Sequence, residues 1–170
     1  MARLVVLAGL PATGKSTLAR EIARRTGAVW LRIDSIAEQI RAAGVVPGDD
    51  LKDAPYRAAY AVAEDNLRLG RDVIADCVND WTVTRDAWQA LGARAGAEVA
   101  WLEIVCSDPD EHRRRVESRA SDVPGLALPD WPAVIGREYH PWDRDRLTLD
   151  TARLSIAEAV DLAMRVLPGG

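Results

Sequence analysis

Residues 9–16, Gly9-Leu10-Pro11-Ala12-Thr13-Gly14-Lys15-Ser16, set two glycines, an ammonium and a hydroxyl at the spacing G-x-x-x-x-G-K-[ST]. The chemistry that needs this set is the grip on a polyphosphate. Glycine lets the backbone turn tightly and aim its N–H groups at phosphate oxygens. A helix opening at Lys15 adds its positive end. Lys15 is placed to reach the β- and γ-phosphates and Ser16 to hold Mg²⁺; Gly9, Pro11, Ala12, Thr13, Gly14 and Thr17 complete the cradle. The pattern speaks for nucleotide binding and leaves the reaction open. The guanine-reading N-K-x-D, the ABC signature L-S-G-G-Q and the dinucleotide pattern G-x-G-x-x-G are all missing from the sequence. A small kinase or a stand-alone ATPase remains.

Further candidates lie at the ends of apolar runs. Asp34 closes Trp30-Leu-Arg-Ile-Asp34, where a carboxylate can take the proton of an attacking hydroxyl. The same residue also reads as an N-cap for the next helix or as a ligand to a Mg²⁺-bound water. Arg32 beside it faces either ligand or solvent. Asp76 ends Val73-Ile-Ala-Asp76, a place for an acid near metal or substrate. Asn79 and Arg85 follow it as substrate contacts, or as a turn residue and a solvated helix residue. Arg115 and Arg119 are four apart and so share a helix face. They can clamp a transferred phosphoryl group, or be part of a plain charged face. The proline- and glycine-broken run 121–130 after them reads as a mobile lid that would exclude water. Trp142, like Trp81 and Trp131, falls where a substrate pocket could be lined, whereas Trp30, Trp88 and Trp101 read as core. His112 reads as a surface residue and His140 as a packing one.

The elements that position these groups alternate. Strands are predicted at 4–8, 28–33, 72–76, 98–106 and 147–149. Helices are predicted at 15–26, 35–43, 54–69, 82–95, 108–120 and 155–167, the last with Leu167 inward, and a short one at 131–139. Residues 44–53, with Pro-Gly and paired aspartates, read as a loop. Such alternation implies an α/β fold with a parallel sheet covered on both faces. Ligands then bind beyond the carboxyl ends of the strands, where Asp34, Asp76 and Asp150-Thr151 all lie.

The 170 residues fit one domain spanning 1–170, with the lid at about 109–142. A composition of 48% hydrophobic and 28% charged residues is that of a soluble globular chain. With no export signal legible, a cytoplasmic setting is expected. Cys77 and Cys106 stand apart from each other and from histidine, so buried structural thiols are expected. The net charge of −4 weighs against a general nucleic-acid partner, though a local basic groove stays open.

Taken together, the loop at 9–16, Ile33-Asp34-Ser35, Val73-Ile-Ala-Asp76 with Asn79, and Glu111-x-x-x-Arg115-x-x-x-Arg119 resemble one family. It is the small P-loop kinases grouped with polynucleotide 5′-kinase, chloramphenicol phosphotransferase and zeta toxin. The resemblance runs over nearly the whole chain. It implies a three-layer P-loop NTPase fold, a five-stranded parallel sheet in the order 2-3-1-4-5, and ATP with Mg²⁺ as cofactors. It also implies Asp34 as general base, Arg115 and Arg119 as lid arginines, and Asp150-Thr151 beside the adenine. The chain is shorter than zeta toxins and shows neither the phosphatase domain nor the basic groove of polynucleotide kinases. The expectation is therefore a kinase acting on a hydroxyl of a small molecule, a metabolite or antibiotic. A polynucleotide 5′-hydroxyl kinase and a nucleotide switch without an acceptor are the alternatives.

Overall fold

A computed structural model describes residues 1–44 and 50–166. Among them run β1 (Arg3–Ala8), α1 (Lys15–Thr26), β2 (Val29–Arg32), α2 (Ile33–Ala42), α3 (Ala54–Arg68) and β3 (Val73–Asp76). They are followed by α4 (Thr82–Ala95), β4 (Glu98–Val105), α5 (Pro109–Ser118), α6 (Trp131–Ile135), β5 (Leu147–Asp150) and α7 (Ile156–Val166). The strands form one parallel sheet in the order β2-β3-β1-β4-β5, as the resemblance implied. Leu167 and the middle of the 44–53 loop lie outside the described residues. No helix among the described residues is long and apolar enough to cross a membrane.

The continuous apolar run of β1 has its cause in a sheet buried on both faces. Side chains alternate along a strand, so Leu4 and Val6 enter one core, with Ala59, Ala63 and Leu67 of α3 and Trp88 and Leu91 of α4. Val5 and Leu7 enter the other, with Leu18, Ala19 and Ile22 of α1 and Ala159, Val160 and Ala163 of α7. β1 is thus the central strand with helices on both sides, and the loop that leaves its carboxyl end is held from both layers.

Most boundaries shift by a residue or two and α6 ends at Ile135 rather than 139, but three differences bear on the site. β2 stops at Arg32, whose extended backbone is the N-cap of α2, and that cap has no side-chain bond. Asp34 therefore sits in the first turn of α2, not at a strand end and not as the cap. A carboxylate there is favoured by the positive end of the helix. α5 stops at Ser118, and Arg119 is its C-cap with extended backbone (φ −72°, ψ 143°), so Arg119 leaves the helix that carries Arg115. The start of α5 is as expected, with Asp108 accepting from the amides of Asp110 and Glu111.

Arg85, read from sequence as a ligand contact or a solvated residue, is fully buried. Its guanidinium donates to the carbonyls of Asn79 (2.9 Å), Pro141 (3.0 Å), His140 (3.1 Å) and Asp80 (3.3 Å). It also lies 4.1 Å from the Trp142 ring centroid. Trp142 in turn donates to Glu103 of β4 at 2.7 Å, an acceptor it shares with Arg146 at 2.6 Å. The stretch 139–146, within or beside the expected lid, is thereby strapped to the core. Arg85→Ala should leave the carbonyls of Asn79, His140 and Pro141 without a donor, the Asp80 carbonyl keeping the His140 amide, and a cost of about 3–5 kcal/mol is expected. Urea unfolding checks this. Arg85→Lys should recover little, because a single ammonium cannot reproduce the fork.

Candidate active site

At the carboxyl edge of the sheet, between the 11–17 loop, the ends of β2 and β3 and the 119–129 segment, lies a cavity of about 470 Å³. Its phosphate-loop wall is built on glycine. Gly9 has φ +137°, and a Cβ on it would meet the Ile104 carbonyl oxygen at 2.1 Å. Gly14 has φ +102° and caps α1 without any side-chain bond, and the first turn of α1 holds no acidic residue. That helix end is left to an anion. Thr13, Thr151 and Arg115 secure the loop from behind. The Thr151 hydroxyl lies 2.7 Å from the Thr13 carbonyl oxygen. Arg115 donates to that hydroxyl at 2.8 Å and to the Thr151 carbonyl at 2.9 Å, while its Nε binds Glu111 at 2.7 Å. From the other side His112 Nε2 donates to the Pro11 carbonyl at 2.8 Å. His112 is buried against Trp131, not on the surface.

Lys15 lies in the cavity and donates to the Leu10 carbonyl at 2.8 Å. Burial pulls its ammonium down from the usual 10.5 to about 8, against the opposing pull of Asp76 and Asp34. In the native protein Lys15 then gives up its proton near pH 8, and in the unfolded chain near 10.5. Between these values the unfolded state holds more protons, so stability rises with pH. Below pH 8 the buried charge costs on the order of 3 kcal/mol, at ~1.4 kcal/mol per unit. Lys15→Met should flatten the rise between pH 8 and 10, as urea unfolding of both proteins would show.

Asp76 is 3% exposed and accepts from the Trp30 indole at 3.2 Å. Burial pushes its carboxyl up, while Lys15 and a hydrogen bond from Ser16 pull it back. Asp34 lines the same cavity, and its charge acts on Lys15, Arg32 and Arg119. Arg32 pairs with Asp122 of the 119–129 segment at 2.8 Å.

The structure brings Pro11, Ala12, Gly14, Lys15, Ser16, Thr17, Asp34, Asp76, Arg115 and Arg119 around one cavity. The other expected contacts lie off it. Asn79 is fully buried and donates to the Leu7 carbonyl at 2.7 Å. Arg85 and Trp142 belong to the strap. Asp150 accepts from the Ser107 amide at 3.0 Å, and Thr151 stands behind the loop. Trp81 is exposed and stacks on the His140 ring at 5.7 Å. Trp30, expected in the core, is only part-buried and serves Asp76. Both cysteines are free. Cys77 is buried, with its thiol pushed up by that burial, whereas Cys106 is part-exposed. Arg20, Asp122 and Arg137 line the cavity without a sequence signal beyond their charge.

Comparison with known proteins agrees with the fold. The AAA_33 family profile, described as an AAA domain, matches residues 4–133. Proteins of Mycobacterium tuberculosis and Mycobacterium bovis are 30% identical over 160 residues, which is 88% of this chain and 32% of theirs. The chain thus spans about a third of the length of these relatives. Among solved structures, Kti12 of Chaetomium thermophilum with ADP-AlF3 superposes with a TM-score of 0.68 at 23% identity, covering 98% of this chain and 100% of that one. The Mycobacterium tuberculosis APS kinase CysC with AMPPNP and APS gives 0.69 at 18%, covering 98% and 97%. A gluconokinase of Sinorhizobium meliloti gives 0.66 at 20%, covering 97% and 91%.

Proposed function

Since the chain belongs to the AAA_33 family of AAA domains, its match spanning residues 4–133, we propose that it is an ATP-dependent kinase that moves the γ-phosphate to a hydroxyl of a small molecule. One observation carries the reading. The Asp34 carboxylate shares a cavity with Lys15 of the phosphate loop and with Arg119, within reach of both charges. A switch that hydrolyses ATP would aim the same carboxylate at water, and the acceptor screen below separates the two readings. The folds of a gluconokinase and an APS kinase lend support.

In this reading Asp34 takes the proton of the attacking hydroxyl as its oxygen bonds to phosphorus and the bond to the leaving ADP breaks. Lys15 and Arg119 lay positive charge on the phosphoryl oxygens. Arg115, tied to Glu111 and Thr151, braces the loop as well as lining the cavity. The 119–129 segment shields the reacting groups from water. Oxygen donors at Ser16 and the adjoining Asp76 suit a hard cation, so these two residues would hold Mg²⁺. When bound, that ion neutralises phosphate charge.

The test is an ATP-consumption screen over nucleosides, sugars, aminoglycoside- and phenicol-like antibiotics and 5′-hydroxyl oligonucleotides. A small hydroxyl compound should accelerate consumption well above the basal rate. If every compound leaves the basal rate unchanged, the kinase reading gives way to that of a nucleotide switch.

A further inference from the structure

Three arginines on the cavity wall have buried nitrogen atoms with no hydrogen-bond partner, namely Nε of Arg20, of Arg32 and of Arg119. Leaving such a donor dry and unpaired is costly, and a native protein tolerates it where something else completes the bond. The three belong to one place. Arg119 is held below its usual range by burial, opposed by Asp34 and reinforced by Arg32. Asp122 feels both Arg32 and Arg20. The guanidiniums of Arg20 and Arg119 make no hydrogen bond or ion pair among the described residues. Arg32 donates to the Asp122 carboxylate, itself 60% exposed, is in a longer ion pair with Asp76 at 4.0 Å, and lies 5.8 Å from the Trp30 ring centroid. An exposed partner of that kind is weakly held and readily exchanged.

The place of Arg32 in the sheet separates it from the nucleotide cradle. The phosphate loop follows β1, whereas Arg32 ends β2, two strands away in the order β2-β3-β1. That is roughly 10 Å across the sheet. Arg32 also stands two residues before Asp34 and lines the same cavity, within reach of its charge. Arg20 lies one helical turn past Ser16 on α1.

Resting on the kinase reading above, we propose that Arg20 and Arg32, with Arg119 shared between the acceptor and the transferred phosphoryl group, form an anion pocket for the acceptor, and that this acceptor is a small molecule carrying its own phosphate, sulfate or carboxylate group. The guanidinium fork matches all three groups. Neutral sugars and neutral antibiotics would leave the three nitrogen atoms unpaired.

Calorimetric titration of inorganic phosphate into protein saturated with Mg²⁺ and AMPPNP reads the pocket without needing turnover. One phosphate should bind, and Arg20→Gln and Arg32→Ala should each weaken it at least about tenfold while AMPPNP affinity shifts less than about threefold. Arg20→Gln guards against a folding defect in Arg32→Ala, whose parent residue also pairs with Asp122. Absence of phosphate binding, or binding by both variants as tight as that of the parent, overturns the pocket. Matched acceptors then test the class: glycerol against glycerol 3-phosphate, and glucose against gluconate. Transfer to the charged member of a pair supports the proposal. Equal use of the neutral member, or transfer to 5′-hydroxyl oligonucleotides alone, overturns it. If phosphate binds as expected but nothing is phosphorylated, the kinase reading fails while the pocket stands.

Discussion

Lys15→Met is expected to lower phosphoryl transfer by at least about 10³-fold, the upper range for removing one preorganised group that meets developing charge. The basis is position. Lys15 is 8% exposed, sits at the mouth of α1 and is flanked by Asp76 and Asp34. In that dry setting its charge acts with little screening. The protein already bears the cost of holding an ammonium there, which lowers its affinity for the proton to near pH 8. A purely structural lysine would have been cheaper as a methionine. The variant should therefore fold at least as well as the parent below pH 8 and fail in turnover. Single-turnover transfer, measured beside urea unfolding, separates the two effects.

Asp34→Asn is expected to cut transfer at least about 100-fold, the lower range for loss of a general base, and to leave ATP affinity within about threefold. Asn keeps the shape and loses the proton acceptor. Asp34 is solvent-exposed within the cavity and makes no hydrogen bond among the described residues, so little structure depends on it. Asp76→Asn should behave differently. Asp76 is 3% exposed, accepts from Trp30 and opposes Lys15, so its loss should weaken nucleotide affinity and rate together. Pre-steady-state transfer and nucleotide titration on the two variants distinguish a base from a residue that organises the phosphate site. Equal loss of ATP affinity in both would remove Asp34 from the proton-accepting role.

The fold was legible because it is written in periodicities. Buried parallel strands such as 4–8 and 73–75 read as unbroken apolar runs, and the glycines at 14 and 27 mark the ends of α1. The phosphate loop was legible because its chemistry is local: eight consecutive residues carry it. The acceptor side was not, because its groups come from distant segments. Arg20, Arg32 and Arg119 meet only after β2 and α1 have packed and the 119–129 segment has crossed the cavity. Arg85 misled for the same reason. On a helix in the sequence it reads as a substrate contact or a solvated residue, yet the chain at 139–146 folds over it and offers carbonyls and an indole face. Asp34 was correctly assigned to the carboxyl edge of the sheet but misplaced by one element, since α2 begins at Ile33 with no intervening turn. Arg119 shares its cavity with Arg115, although α5 ends before it.

The central claim is that this cavity passes phosphate to a hydroxyl, and ³¹P NMR of the products formed from ATP by the wild-type protein tests it most directly. In the presence of small anionic hydroxyl compounds, the γ-phosphorus should appear as a phosphate monoester of the acceptor, faster than inorganic phosphate accumulates. If the γ-phosphorus appears only as inorganic phosphate, at a rate no hydroxyl compound alters, the account is contradicted.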